Sequence, residues 1–136
     1  MTIANVGGGY QIGDGNVNEV KMFTQPTPAT MTSTAAITVA QLATGIILGS
    51  PGGSAATYTL PTVALTEALL VNAKVDSCFD FTIVNVDGSG SGVITLAVGT
   101  GWTLSGLTTV AATAGTAAIW RARKTGTGTW TAYRLA

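Results

Sequence analysis

The chain has 136 residues, only 9% of them charged; six acids balance six bases, and there is no histidine and a single cysteine. The missing histidine excludes a serine–histidine triad, a cysteine–histidine nucleophile and a histidine metal centre, while zero net charge withdraws the positive field that nonspecific nucleic-acid binding relies on. An ordinary soluble domain is about 25% charged, so a chain this poor in charge and 46% hydrophobic is expected to meet other protein over much of its surface.

Residues 1–32 read as an extended N-terminal arm. Gly7-Gly8-Gly9 and Gly13-Asp14-Gly15 cannot hold a helix or strand interior cheaply, and Pro26 and Pro28 bar helix from the stretch that follows. Residues 20–24 form a short extended piece, in which Met22 and Phe23 are apolar anchors. The first fifteen residues lack a basic stretch followed by an apolar core, so no secretory leader is expected and synthesis in the cytoplasm is. No apolar run reaches the roughly 18 residues that a membrane span needs, so no membrane partner is expected.

Residues 33–136 read as one β domain, rich in β-branched residues and turn punctuation. Strands are expected at 35–39, 41–48 and 55–60, with a weak break near Ala40, a bulge at Gly45 and a turn at Ser50-Pro51-Gly52-Gly53. Thr62 then caps a short helix over 63–70, with Ala64, Leu65, Ala68 and Leu69 on one face. Further strands are expected at 77–86, 92–98, 107–111, 116–124 and 129–135. Glycine-rich hairpin loops separate them at 87–92 and 125–128. The glycines before Trp102 suggest a bend that lets the ring cover one end of the fold. About eight short strands with turns at near-regular spacing give an all-β fold: an antiparallel β-sandwich, jelly-roll-like, with one short helix and an extended N-terminal arm. A closed barrel has the same signature.

No catalytic, cofactor-binding or metal site is specified. Gly7-Gly8-Gly9 and the 88–92 loop lack the Gly-Lys-Ser/Thr ending of a phosphate loop. Asp87 alone supplies too few carboxylates for calcium. Asp76 and Asp80 are the one plausible carboxylate pair for glycoside hydrolysis. Cys78 is expected to be a small buried hydrophobe. Trp102, Trp120 and Trp130 are expected in the core, and a sugar-stacking platform is the alternative. Arg121-Ala122-Arg123-Lys124 holds half of the positive charge. Alternation puts Arg121 and Arg123 on one face, either as a solvated strand end or paired with acids of a neighbouring subunit.

Several segments together resemble a family of tailed-phage virion proteins that includes capsid cement and decoration proteins. They are Phe79-Asp80-Phe81-Thr82-Ile83-Val84-Asn85, Gly99-Thr100-Gly101-Trp102-Thr103-Leu104, Arg121-Ala122-Arg123-Lys124-Thr125-Gly126 and Trp130-Thr131-Ala132-Tyr133-Arg134-Leu135. Gln41-Leu42-Ala43-Thr44-Gly45-Ile46-Ile47 and Tyr58-Thr59-Leu60-Pro61-Thr62 fit the same pattern, so the likeness covers about two-thirds of the chain. It implies a jelly-roll-like domain, commonly a homotrimer, on the outer surface of the virion capsid, where it bridges major capsid protein subunits. No point motif transfers with it. The candidate contact residues are Tyr10, Met22 and Phe23 in the arm and Arg121, Arg123 and Arg134 on the domain. A head-fibre or receptor-binding module that recognises host glycans is the alternative function.

Overall fold

The computed structural model describes residues 22–136; Tyr10, Asp14, Glu19 and most of the expected arm lie outside the described residues. Ten strands and two short helices follow one another: β1 (Ala29–Met31), β2 (Ala35–Ala36), α1 (Val39–Ala43), β3 (Ile46–Gly49), β4 (Ala56–Thr59), α2 (Val63–Leu69), β5 (Cys78–Asn85), β6 (Ile94–Ala97), β7 (Trp102–Ser105), β8 (Thr109–Val110), β9 (Thr116–Gly126) and β10 (Thr129–Arg134). They form a six-stranded sheet in the order β1-β3-β5-β9-β10-β7 and a four-stranded sheet in the order β2-β4-β6-β8.

Strand direction corrects the expectation of an antiparallel fold. The pairs β1–β3, β3–β5, β2–β4, β4–β6 and β7–β10 are parallel. Among the described residues only β5–β9, β9–β10 and β6–β8 are antiparallel. From β1 to β6 consecutive strands alternate between the two sheets, so residues 29–97 wind as a three-turn coil with parallel stacking on both walls. A parallel pair needs a crossover connection, and here each crossover passes through the opposite sheet. The loop at 87–92 is therefore a corner between sheets; the expected hairpin would have kept β5 and β6 side by side. The expected hairpin at 125–128 is present between β9 and β10.

Both helices lie on links that return from the small sheet to the large one, and they occupy equivalent places in successive turns. Helix α1 replaces the first half of a strand expected at 41–48. Thr38 accepts a hydrogen bond from Gln41 N, and the Gln41 side chain accepts one from Thr38 N, a complete capping box. Gly45 takes φ +78° just past the helix end, with open space where a Cβ would stand. It is the left-handed residue that closes a helix rather than a bulge. Thr62 caps α2 as expected, accepting from Leu65 N.

One core joins both sheets. Phe81, Ile83, Ala118, Trp120, Ala122, Trp130 and Ala132 point inward from the large sheet, and Tyr58, Leu60, Ile94, Leu96 and Val110 from the small one. Phe81 stacks on Trp120 at 5.6 Å between ring centroids, and Trp130 lies 5.7 Å from Phe79 and 5.8 Å from Trp102. Trp102 belongs to β7, a strand absent from the sequence reading, and its Nε1 donates to Pro61 O at 2.7 Å. Strand β1 falls within the expected arm, yet Met31 is buried in the core, and Tyr58 Oη donates to Met31 O at 2.9 Å. Burial pushes the Tyr58 hydroxyl pKa up, so it remains a donor.

The corner after β5 is tied at three points. Buried Asn85 donates from Nδ2 to Gly92 O (2.8 Å) and Ala111 O (3.0 Å) and accepts from Gly88 N (2.7 Å). Gly92 runs so close to the preceding turn of the coil that a Cβ there would overlap the Gly52 carbonyl oxygen. Backbone meets backbone at that point, so neither side yields. Gly92→Ala is expected to cost about 3 kcal/mol, whereas Gly90→Ala, at φ +54° in open space, costs about 1 kcal/mol through conformation alone. Urea unfolding of both variants checks the order; equal losses would contradict the close approach.

Candidate interaction surface

The charged side chains that sequence reasoning placed at an interface are engaged within this chain. Register sets Asp80 directly opposite Arg121 on the outward face of the large sheet. The guanidinium grips the carboxylate in two bonds, Nε to Oδ1 at 2.7 Å and Nη2 to Oδ2 at 2.9 Å. Arg123 binds Asp76 Oδ1 at 2.6 Å and Tyr133 Oη at 3.2 Å. Arg134 lies over the Trp120 ring, 5.1 Å from its centroid, and donates to the carbonyls of Leu107 (3.0 Å), Thr109 (2.8 Å) and Ala136. The acids sought on a neighbouring subunit are thus supplied at home, and Arg134 fastens the last strand.

The remaining described carboxylates are also occupied. Lys124 meets Glu67 at 2.6 Å, and Trp130 Nε1 donates to the same oxygen at 3.0 Å, which ties α2 to the last hairpin. Asp87 accepts from Ser50 Oγ (2.6 Å) and Gly52 N (3.0 Å). Hydrogen bonds from these partners hold the pKa values of Asp80, Glu67 and Asp87 below the usual carboxylate range, with Arg121, Lys124 and Ser50 respectively as the main causes. Asp76 and Asp80 each face a different arginine. Asp80, stabilised as the anion in this way, is a poor general acid near neutral pH. Among the described residues no cluster of three or more metal-ligating side chains occurs.

The three tryptophans are buried, so none offers a ring face for stacking a sugar. Cys78 corrects its expectation: it is exposed. Phe79 and Phe81 point to the core, and period-two alternation turns Cys78 and Asp80 outward.

The surface exposes several large apolar side chains, two of them on α2. Val63 and Thr66 are its buried residues. Thr66 enters the core without an unpaired hydroxyl because its Oγ1 donates to Thr62 O at 3.0 Å, inside the helix itself. Ala64, Leu65, Ala68 and Leu69, which the sequence groups on one face, are consequently exposed, Leu65 at 57% and Leu69 at 53%. Val71 and Val75, in the loop that follows, are exposed as well. Between α1 and α2 lies a cleft of about 220 Å³, lined by Val39, Leu42, Ala43, Leu69, Leu70 and Phe79, with Asp80 at its rim. A second hollow runs from Leu70 past Cys78 to Trp130. Upstream, Met22 and Phe23 stand 90% and 89% exposed.

No protein-family model, curated protein or solved structure matches this chain.

The depressed carboxylates make stability depend on acid. The folded chain holds fewer protons than the unfolded one as pH falls through the carboxylate range. Their stabilising contribution is therefore present above about pH 4.5 and is lost progressively below it. Calorimetry from pH 6 to pH 3 is expected to show a falling Tm, with a shallower fall for Asp80→Asn; an identical slope would contradict the Asp80–Arg121 assignment.

Proposed function

We propose that this chain is a non-catalytic structural protein of a tailed-phage virion. It binds the outer surface of the capsid, bridges major capsid protein subunits and self-associates as a homotrimer. The observation that carries this reading is the outward apolar face of α2, formed by Ala64, Leu65, Ala68 and Leu69, with Val71 and Val75 also exposed in the loop after it. A monomer gains nothing from exposing contiguous apolar area, and such patches mark contact with protein. A shell of capsid protein is the partner that the sequence resemblance supplies. We read the two sheets around one core as the expected sandwich, with the parallel coil as its departure from a jelly roll.

Charge supports the same reading. Each described carboxylate is satisfied inside the chain, so covering the surface leaves none of these acid charges without a partner. The clamping mechanism is additive. Several copies, each touching more than one shell subunit, sum modest contact free energies into resistance to expansion. The glycan-binding alternative lacks a platform, because Trp102, Trp120 and Trp130 are core residues.

The test uses shells stripped of this protein. Because Leu65 and Leu69 are exposed, the double variant Leu65→Asp/Leu69→Asp is expected to keep the wild-type near-ultraviolet circular dichroism spectrum. It should bind shells at least about tenfold more weakly, since two leucine side chains contribute several kcal/mol when buried. Saturation at wild-type concentrations would overturn the α2 assignment.

A further inference from the structure

Helix α2 lies on an outsized link. Nine residues, 37–45, join β2 to β3, whereas eighteen, 60–77, join β4 to β5 at the equivalent place in the next turn. The longer link is anchored at both ends and thinly held between. At its start Val63 is buried and its N–H donates to Thr100 O at 2.9 Å; at its end Asp76 N donates to Lys124 O at 2.9 Å. Between those points Thr66 is the one buried residue, with Leu70 and Ala73 partly buried against the core.

Hydrogen bonding sharpens the contrast. Thr66 N and Oγ1 both donate to Thr62 O, Leu70 N to Thr66 O, Ala73 N to Leu70 O and Lys74 N to Ser77 Oγ, so these bonds stay inside the link. Among the described residues, the polar contacts that leave residues 64–75 converge on one atom, Glu67 Oε1. It pairs with Lys124 Nζ at 2.6 Å and accepts from Trp130 Nε1 at 3.0 Å.

Packing is loose on both sides. The cleft of about 220 Å³ and the second hollow, of about 350 Å³, flank the C-terminal end of α2, and Leu69, Leu70 and Phe79 wall both. A side chain that faces a void forfeits the dispersion contacts of a packed one, so little apolar packing opposes movement there. We propose that residues 64–75 form a flap that opens as a unit while the coil stays folded, with Glu67 as its latch. Opening takes Leu69 and Leu70 out of the walls and joins the two hollows into one apolar groove floored by Phe79 and Trp130. Segments that open locally are those with few buried apolar contacts. The flap rests on contacts within one chain and is independent of the capsid reading.

Native-state hydrogen exchange of the purified protein tests it. Helix α2 has seven residues, too few to persist once detached, so opening frees the Thr66 and Leu70 amides to exchange. In the wild type their exchange is expected to depend little on urea below the unfolding transition, because a flap exposes little surface. The amides of β9, paired on both sides, follow the full slope. Glu67→Ala is expected to speed exchange at Thr66 and Leu70 at least about tenfold with the shallow slope kept, since the closed state loses its charged tie. Ile83→Val, in the core of the large sheet, weakens open and closed forms alike; it should speed exchange at β9 and leave Thr66 and Leu70 unchanged. The full urea slope at Thr66 and Leu70, wild-type exchange there in Glu67→Ala, or equal acceleration by Ile83→Val would each overturn the proposal. The urea slopes need no variant, so they decide even where a substitution fails to fold.

Discussion

The alternation of consecutive strands between two sheets is the constraint from which the rest of the molecule follows. Once β3 lies parallel to β1 and β5 parallel to β3, every connection must cross from one wall to the other and back. The return links then pile up on one side of the coil. That is why α1 and α2 are neighbours although nineteen residues separate their ends from α1's last residue to α2's first, and why a cleft forms between them. The antiparallel strands β9 and β10 close the large sheet beyond β5 and bring Trp120 and Trp130 onto the aromatic core.

The same architecture decides what the surface offers. Pairing β5 with β9 sets Asp80 against Arg121, and the turn before β5 brings Asp76 to Arg123. Half-exposed pairs of this kind add little stability, because water screens them. Their effect is to leave the exterior electrostatically quiet beside a helix whose leucines point outward. Low charge in the sequence and local pairing in the structure therefore have one consequence, an exterior whose described acids already have partners.

Much of the β structure was legible because alternation is local. Ala118, Trp120 and Ala122 against Arg121 and Arg123, and Trp130 and Ala132 against Thr131 and Tyr133, announce both strands and their inner faces. Strand direction was not legible, since pairing joins residues far apart in sequence. β-Branched residues suggested strands at 35–39 and 41–48, yet Thr38, Gln41 and Gly45 carried the cap and stop signals of α1. The phase that buries Phe79 also exposes Cys78, so that placement was readable. The outward face of α2 was not: a threonine and a glutamate take the inner side only because Thr62, Lys124 and Trp130 satisfy them. Arg121, Arg123 and Arg134 were legible as a group, but their partners depend on register.

The central claim is that the α2 side of the molecule is covered by protein when the chain does its work. Cys78, the single thiol, is exposed and lines the hollow with Leu69, Leu70, Val71 and Phe79. Its rate of reaction with a maleimide therefore reports directly on that surface. The account predicts ready labelling of the free monomer and labelling at least about tenfold slower in the assembled particle, where the thiolate is shielded from reagent. Equal rates in the two states would contradict it.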